Sequence, residues 1–109
     1  MDFKEYQEKA VTTKLYNEKY KVIYPTIGLA GESGEVSEKI KKWIRDEGEE
    51  KMSEERKIEV KKELGDVLWY INAIATDLGM DLEDVAMTNI EKLFSRKDRN
   101  ILHGDGDNR

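Results

Sequence analysis

The chain contains 109 residues, which is enough for one domain and too few for two. Its 24 acidic residues outnumber its 19 Lys and Arg, the net charge is -5, and no cysteine is present. The lack of cysteine excludes a disulfide framework, a zinc ribbon and a cysteine nucleophile. The acidic balance argues against nucleic-acid binding, and no apolar run approaches the ~20 residues of a membrane span. We therefore expect a cytoplasmic protein with a single domain over residues 1–109.

Helical periodicity dominates the first half of the chain. Asp2 followed by Glu5 has the spacing of a capping box, and apolar or aromatic residues then recur every three or four positions as far as Tyr20. Pro25 is predicted to stop this first helix and to open a second one over about residues 26–46. The second helix is predicted to turn the following residues inward: Ile27, Ala30, Gly31, Gly34, Ile40 and Ile44.

Two further helices follow a polar connection at residues 46–52. Ser53 is the expected N-cap of the third helix, Gly79 supplies its stop, and Asp81 is expected to cap the fourth. The apolar stripe of the fourth helix consists of Leu82, Val85, Ala86, Asn89, Ile90, Leu93 and Phe94. Four helices joined by short loops predict an all-α fold of the four-helix bundle type. So many apolar positions in so small a bundle favour assembly as a homo-oligomer.

Acidic residues three positions apart share one face of a helix and can bind the same metal ion. Spacing alone is weak support here, because 24 of the 109 residues are acidic. Two pairs stand out, Glu32 with Glu35 and Glu63 with Asp66, because each lies in the most apolar and glycine-rich part of its helix. Glycine inside a helix costs about 1 kcal/mol relative to alanine, so these glycines indicate that two helices approach closely.

If the helices cross near Gly31, Gly34 and Gly65, the four carboxylates converge. Carboxylates that share little water need a cation, and ligation by oxygen alone favours Mg²⁺, Mn²⁺ or Ca²⁺. The alternative is that these acids are half-exposed residues at the edges of the apolar stripes. A di-iron bundle is excluded, because it needs Glu-x-x-His pairs and the single histidine, His103, lies beyond the helices.

Asn89 interrupts the apolar stripe of the fourth helix, and Lys92 and Arg96 follow it along one helix edge. An amide and two cations in line suit a polyphosphate that is bridged to a metal ion. The alternative is a backbone-bonded Asn89 beside two solvated cations. The chain has no Walker-type phosphate loop and no nucleophilic serine motif, so metal and water would carry any hydrolysis. Four aromatic residues could stack on a base, although such residues more often belong to a core: Tyr16, Tyr20, Trp43 and Trp69.

Three motifs, taken in order, closely resemble the MazG-like nucleotide pyrophosphohydrolases of the all-α NTP pyrophosphatase superfamily. They are Gly-Leu-Ala-Gly-Glu-Ser-Gly-Glu-Val-Ser-Glu-Lys-Ile-Lys-Lys at residues 28–42, Glu-Leu-Gly-Asp-Val-Leu-Trp-Tyr at 63–70, and Asn-x-x-Lys-x-x-x-Arg at 89–96. The superfamily signature, E-x-x-E followed after a gap by E-x-x-D, reads here as Glu32, Glu35, Glu63 and Asp66. The last six residues also resemble the end of a short, single-domain subset.

The resemblance implies that an NTP or dNTP and water give the monophosphate and pyrophosphate, with Mg²⁺ or Mn²⁺ bound. It implies that the four signature acids are metal ligands and that Asn89, Lys92 and Arg96 lie near the substrate phosphates. Glu35 and Glu38 are both candidates for activating the attacking water. A non-catalytic helical module for oligomerisation or interaction is the alternative function.

Several properties stay open at the level of sequence. We expect a homodimer or homotetramer, but the chain does not distinguish the two. The polar C-terminal tail, residues 100–109, could close over the nucleotide or reach a neighbouring subunit. Base and sugar preference, the number of metal ions and the biological role have no sequence signal here.

Overall fold

The computed structural model describes residues 1–48 and 51–109. Its four α-helices are α1 (Phe3–Val11), α2 (Ile23–Glu47), α3 (Glu54–Asp77) and α4 (Leu82–Asp98), with a short 3-10 helix at Glu18–Tyr20. No strand occurs in the described residues, which confirms the all-α prediction. Within the same residues, no helix combines the length and the apolar character that crossing a membrane requires. Residues 49 and 50, in the predicted connection, lie outside the described residues.

Three helix boundaries follow the local chemistry that the sequence indicates. The Asp2 carboxylate accepts a hydrogen bond from the Glu5 amide at 2.8 Å and caps α1. The Ser53 hydroxyl accepts one from the Arg56 amide at 3.2 Å and caps α3. Gly79 follows α3 with a φ of 72°, a left-handed conformation that ends a helix and that glycine adopts without strain.

The start of α4 depends on another helix rather than on its own cap. Asp81 occupies the N-cap position of α4, as predicted, but its side chain makes no capping hydrogen bond. Instead the Gln7 side chain of α1 accepts from the Leu82 amide at 2.8 Å. The same Gln7 amide donates to the Thr76 hydroxyl at 3.0 Å and to the Met80 carbonyl at 2.9 Å. One side chain of α1 therefore joins the end of α3 to the beginning of α4.

The first helix is shorter than predicted, because α1 ends at Val11 rather than near Tyr20. The hydroxyls of Thr12 and Thr13 each donate to the backbone carbonyl three residues earlier, at 2.6 and 2.7 Å. Such bonds compete with continuation of the helix. Residues 12–22 consequently form the connection to α2 and contain the short 3-10 helix. Pro25 lies in the first turn of α2, where a backbone N–H would have no acceptor within the helix, so its absence has no cost.

Asp77, near the end of α3, anchors this loop. Its fully buried carboxylate accepts from Lys14 Nζ at 2.6 Å, from the Tyr16 hydroxyl at 2.6 Å and from the Val22 amide at 3.0 Å. Burial would raise the pKa of Asp77, but these three donors outweigh it and the pKa is lowered. Val22 has a φ of 66°, which is rare for a β-branched residue, and its bond to Asp77 holds it in that conformation.

Helices α2 and α3 pack as an antiparallel hairpin. At Gly28 the two helices leave no room for a side chain, because an added Cβ would overlap the ring of Tyr70. Gly31, Gly34 and Gly65 have no atom within 4 Å of such a Cβ. Of the four glycines predicted to allow close approach, Gly28 is therefore confirmed, and the prediction is wrong for Gly31, Gly34 and Gly65.

Gly28→Ala is expected to lower the free energy of unfolding by about 1–3 kcal/mol, because the added methyl displaces the Tyr70 ring from a packed position. Gly31→Ala is the matched control, and the higher helix propensity of alanine should raise that free energy by no more than about 1 kcal/mol. Urea denaturation of the two variants measures both. An equal loss at Gly31 would contradict the assignment of the close contact to Gly28.

The single protomer buries few apolar side chains. Among the described residues, the buried hydrophobic side chains are Ala73, Ala75 and Leu82, and Pro25 is also buried. The predicted inward stripes of α2 and α4 are largely exposed, as at Ile27 (69%), Ile44 (56%) and Phe94 (56%). The radius of gyration is 16.8 Å, whereas a compact chain of this length has about 13 Å. The main packing partner of α2 is α3, and α4 packs against α1 and α3, so neither stripe has a helix that covers it.

Candidate functional site

The antiparallel hairpin brings together three of the four signature acids. Glu32 comes from α2, and Glu63 and Asp66 lie three residues apart on one face of α3. One carboxylate oxygen from each lies within 4.8 Å of the other two. The pairing of Gly28 with Tyr70, one turn away on both helices, sets this register.

Negative charge is concentrated in this acidic cluster (Glu32, Glu63 and Asp66). Glu32 is half-buried, and burial raises its pKa first, followed by the charges of Asp66, Glu63 and Glu35. Within the described residues, no Lys or Arg forms an ion pair with these three acids. Three crowded carboxylates without a cationic partner fit a hard divalent ion, which prefers oxygen ligands.

Glu35 and Glu38, one and two turns after Glu32 on α2, lie outside this three-acid group. Glu35 is exposed, and its charge contributes to the raised pKa of Glu32. Glu38 is 2.9 Å from Lys41 Nζ, and this hydrogen bond is the main reason that its pKa is lowered. Of the two candidates for activating water, Glu35 is therefore the one whose charge couples to the cluster.

An open cleft of about 360 Å³ borders the acidic cluster and is lined by Thr13, Glu32, Asp66, Trp69 and Tyr70. The indole N–H of Trp69 donates to the Thr13 hydroxyl at 2.8 Å. The rings of Trp69 and Tyr70 meet edge to face with centroids 5.0 Å apart. Trp69, a predicted candidate for base stacking, therefore lies beside the acids. The sequence contains no signal that places Thr13 in the cleft.

Two of the other aromatic candidates have local partners instead. Tyr16 stacks on Tyr24, with ring centroids 4.8 Å apart. The Lys19 ammonium lies 5.5 Å from the centre of the Tyr20 ring. Neither Tyr16 nor Tyr20 lines the cleft beside the acidic cluster.

Two of the three residues expected near the phosphates, Asn89 and Lys92, line a second groove. Asn89 is exposed rather than buried in a stripe, and it lines this groove with Lys92, Thr88 and Val85 of α4. No described residue lines both the groove and the cleft at the acidic cluster. In one protomer, Glu32 and Asp66 therefore line the cleft, while Asn89 and Lys92 line a separate groove.

Arg96 is not a solvated surface cation, because only 6% of it is exposed. Its guanidinium donates to the Asp107 carbonyl at 2.8 Å and lies 3.3 Å from the Asp107 carboxylate. Lys92 Nζ lies 3.0 Å from the same carboxylate oxygen. Residues 100–109 thus fold back onto α4 in this protomer.

The fold and the cleft define an all-α protein whose helical hairpin presents a carboxylate site suited to a divalent metal ion. The chain matches the MazG nucleotide pyrophosphohydrolase domain over residues 26–100 and belongs to that family. It is also similar to Gene 37 protein of Mycobacterium phage L5, with 44% identity over 86 residues that cover 79% of this chain and 75% of that protein. No solved structure matches the chain significantly.

Proposed function

We propose that this protein is a Mg²⁺-dependent nucleoside triphosphate pyrophosphohydrolase. The reaction converts an NTP or dNTP and water into the monophosphate and pyrophosphate. The observation that carries the proposal is the convergence of Glu32, Glu63 and Asp66 in a chain of the MazG family, with no Lys or Arg of the described residues paired to them.

The acidic cluster would hold the ion, and Glu35 is the fourth proposed ligand. When bound, Mg²⁺ (or Mn²⁺) would offset the charge of the triphosphate and lower the pKa of a bound water. The half-buried position of Glu32 limits the water that can screen the repulsion among the acids, which favours binding of a cation.

Glu35 is the first candidate to accept the proton of the attacking water, and Glu38 is the second. The water oxygen bonds to the α-phosphorus while its proton passes to the carboxylate. The bond from the α-phosphorus to the α–β bridging oxygen breaks, and its electron pair leaves with pyrophosphate. Asn89, Lys92 and Arg96 would bind phosphate oxygens through their amide, ammonium and guanidinium donors.

A second copy of the chain would complete this arrangement. In one protomer the cleft at the acids is separate from the groove that Asn89 and Lys92 line, and large apolar side chains on α2 and α4 are exposed. We infer a homodimer or homotetramer, in which α4 of one copy approaches the acidic cleft of another. Contact between the exposed stripes would remove apolar surface from water and stabilise the assembly.

Ile27→Glu is expected to shift the protein to a species of lower mass, because it places a charge on the exposed apolar face of α2. The wild type should have at least twice the protomer mass of 12.7 kDa in sedimentation equilibrium. Lys4→Glu, on exposed α1, is the control and should keep the wild-type mass. A wild-type protein that stays monomeric at tens of micromolar would contradict the inferred assembly.

The activity is tested by measuring pyrophosphate release from canonical and damaged nucleoside triphosphates in the presence of Mg²⁺. At least one NTP or dNTP should be hydrolysed, and the panel would also reveal the base and sugar preference. Intact nucleotides throughout would contradict the proposal and would favour the non-catalytic helical module, for which the exposed apolar stripes are the motivation.

Saturating Mg²⁺ is expected to raise the melting temperature, since a ligand that binds only the folded state stabilises it. At 100-fold excess over the dissociation constant the gain is about 2.7 kcal/mol. Differential scanning fluorimetry with and without Mg²⁺, followed by excess EDTA, measures this effect. If the melting temperature is the same in all three conditions, the acidic cluster is not a metal site.

A further inference from the structure

Residues 100–109 place one carboxylate between two cations of α4. The same Asp107 oxygen lies 3.0 Å from Lys92 Nζ and 3.3 Å from Arg96 Nη2. Lys92 and Arg96 are one helical turn apart, so a single anion can reach both. Hydrogen bonds from Lys92 and then Arg96 lower the pKa of Asp107.

Arg109 gives this segment its shape. Its guanidinium donates to the carbonyls of Ile101 at 3.2 Å, Leu102 at 2.8 Å and Gly106 at 2.6 Å. Asn100, just after α4, has a φ of 58° and turns the chain back along the helix. The segment is therefore a closed loop that presents Asp107 to α4.

The three charged side chains differ in exposure. The Arg96 side chain is 7% exposed, Lys92 is 36% exposed and Asp107 is 80% exposed. A nearly buried guanidinium needs an anionic partner, whereas an exposed carboxylate gains little free energy from an ion pair. Asp107 can therefore leave at a small cost when another anion takes its place. A phosphate group offers more charge and more acceptor oxygens than a carboxylate.

We propose that Asp107 is a positioning residue that acts as a displaceable internal anion. It holds the Lys92 and Arg96 side chains together in the free protein and yields its place to a phosphate group. The inference rests on the proposed function, since it takes Lys92 and Arg96 as phosphate-binding residues. The loop closed by Arg109 keeps Asp107 within reach, so that it returns after the phosphate departs.

Calorimetric titration of inorganic pyrophosphate in Mg²⁺ buffer tests the inference with Asp107→Asn and the control Asp105→Asn. Asp105 lies in the same exposed segment, and the control makes the same change of charge. Asp107→Asn should bind pyrophosphate about two- to fivefold more tightly than the control, because the competing anion is lost. The KM for a nucleotide should fall by a similar factor, with kcat changed less than about twofold. A purely structural role for Asp107 would not tighten binding.

Lys92→Ala separates failure of this inference from failure of the proposed function. If Lys92→Ala weakens pyrophosphate binding but Asp107→Asn behaves like Asp105→Asn, Asp107 is not a competitor and the proposed function stands. If Lys92→Ala leaves pyrophosphate binding unchanged, the inference is wrong, and the nucleotide panel decides whether the function is wrong as well. In the wild type, saturation with pyrophosphate should also shift the backbone amide NMR signals of residues 106–108, and unchanged signals would contradict displacement.

Discussion

Asp66→Asn is expected to lower kcat/KM for pyrophosphate release by at least about 100-fold, because a metal ion in such a site contributes several kcal/mol to the transition state. Asp66 is one of the three acids whose oxygens converge, and it also lines the adjoining cleft. The substitution keeps the shape of the side chain and removes its charge. Initial rates of pyrophosphate release at saturating Mg²⁺ measure the loss.

Asp66→Asn is also expected to change the melting temperature. Removing one of three crowded charges should raise the melting temperature without Mg²⁺ and abolish the increase that Mg²⁺ produces. Glu8→Gln is the control, since Glu8 is an exposed acid on α1 that is outside the cluster. An Asp66→Asn enzyme that retains a tenth or more of the wild-type rate would contradict the assigned site.

Glu35→Gln distinguishes the two roles that remain for Glu35. If the rate falls while the Mg²⁺-dependent increase in melting temperature persists, Glu35 accepts the proton of the water. If both are lost, Glu35 is a ligand. If neither changes, Glu38 becomes the candidate for proton transfer, and Glu38→Gln is then expected to lose the rate.

Asp77→Ala is expected to lower the free energy of unfolding by about 3 kcal/mol, because it leaves three part-buried donors without their anion. Lys14, Tyr16 and the Val22 amide all donate to this carboxylate. For a domain of this size the melting temperature should fall by more than about 10 °C. The measurement requires equal protein concentrations, because oligomerisation affects the apparent stability.

Glu18→Gln is the matched control for Asp77. Glu18 also pairs with Lys14, at 3.6 Å, but its side chain is 70% exposed, so the loss should be far smaller than for Asp77→Ala. Because the pKa of Asp77 is lowered by folding, its contribution is present above about pH 4 and is lost as pH falls through the folded-state value. The stability difference between the wild type and Asp77→Ala should therefore shrink in acid. Equal losses for Asp77→Ala and Glu18→Gln would contradict the anchoring role of Asp77.

The helices that the sequence predicts correctly are those whose ends depend on neighbouring residues. The caps at Asp2 and Ser53 and the stop at Gly79 each involve groups within a few positions, so a local pattern contains the necessary information. The end of α1 was missed because the periodic residues beyond Val11 continue a helical pattern, while the loop is held by Asp77, more than 50 residues away. The hydrogen bond that caps α4 is not predicted for the same reason, since the Gln7 side chain of α1 accepts it from the Leu82 amide.

The candidate site also combines features that neighbouring residues determine with features that depend on distant parts of the chain. The sequence alone determined the four signature acids and the α4 residues Asn89, Lys92 and Arg96, because residue type and spacing along a helix are local properties. Only the tertiary structure decided that Glu32, Glu63 and Asp66 converge without Glu35, and that Asp107 reaches the α4 cations. The physical reason is the register of packed helices. The contact of Gly28 with Tyr70 sets which turns of α2 and α3 face each other, and no pattern within either helix specifies that contact.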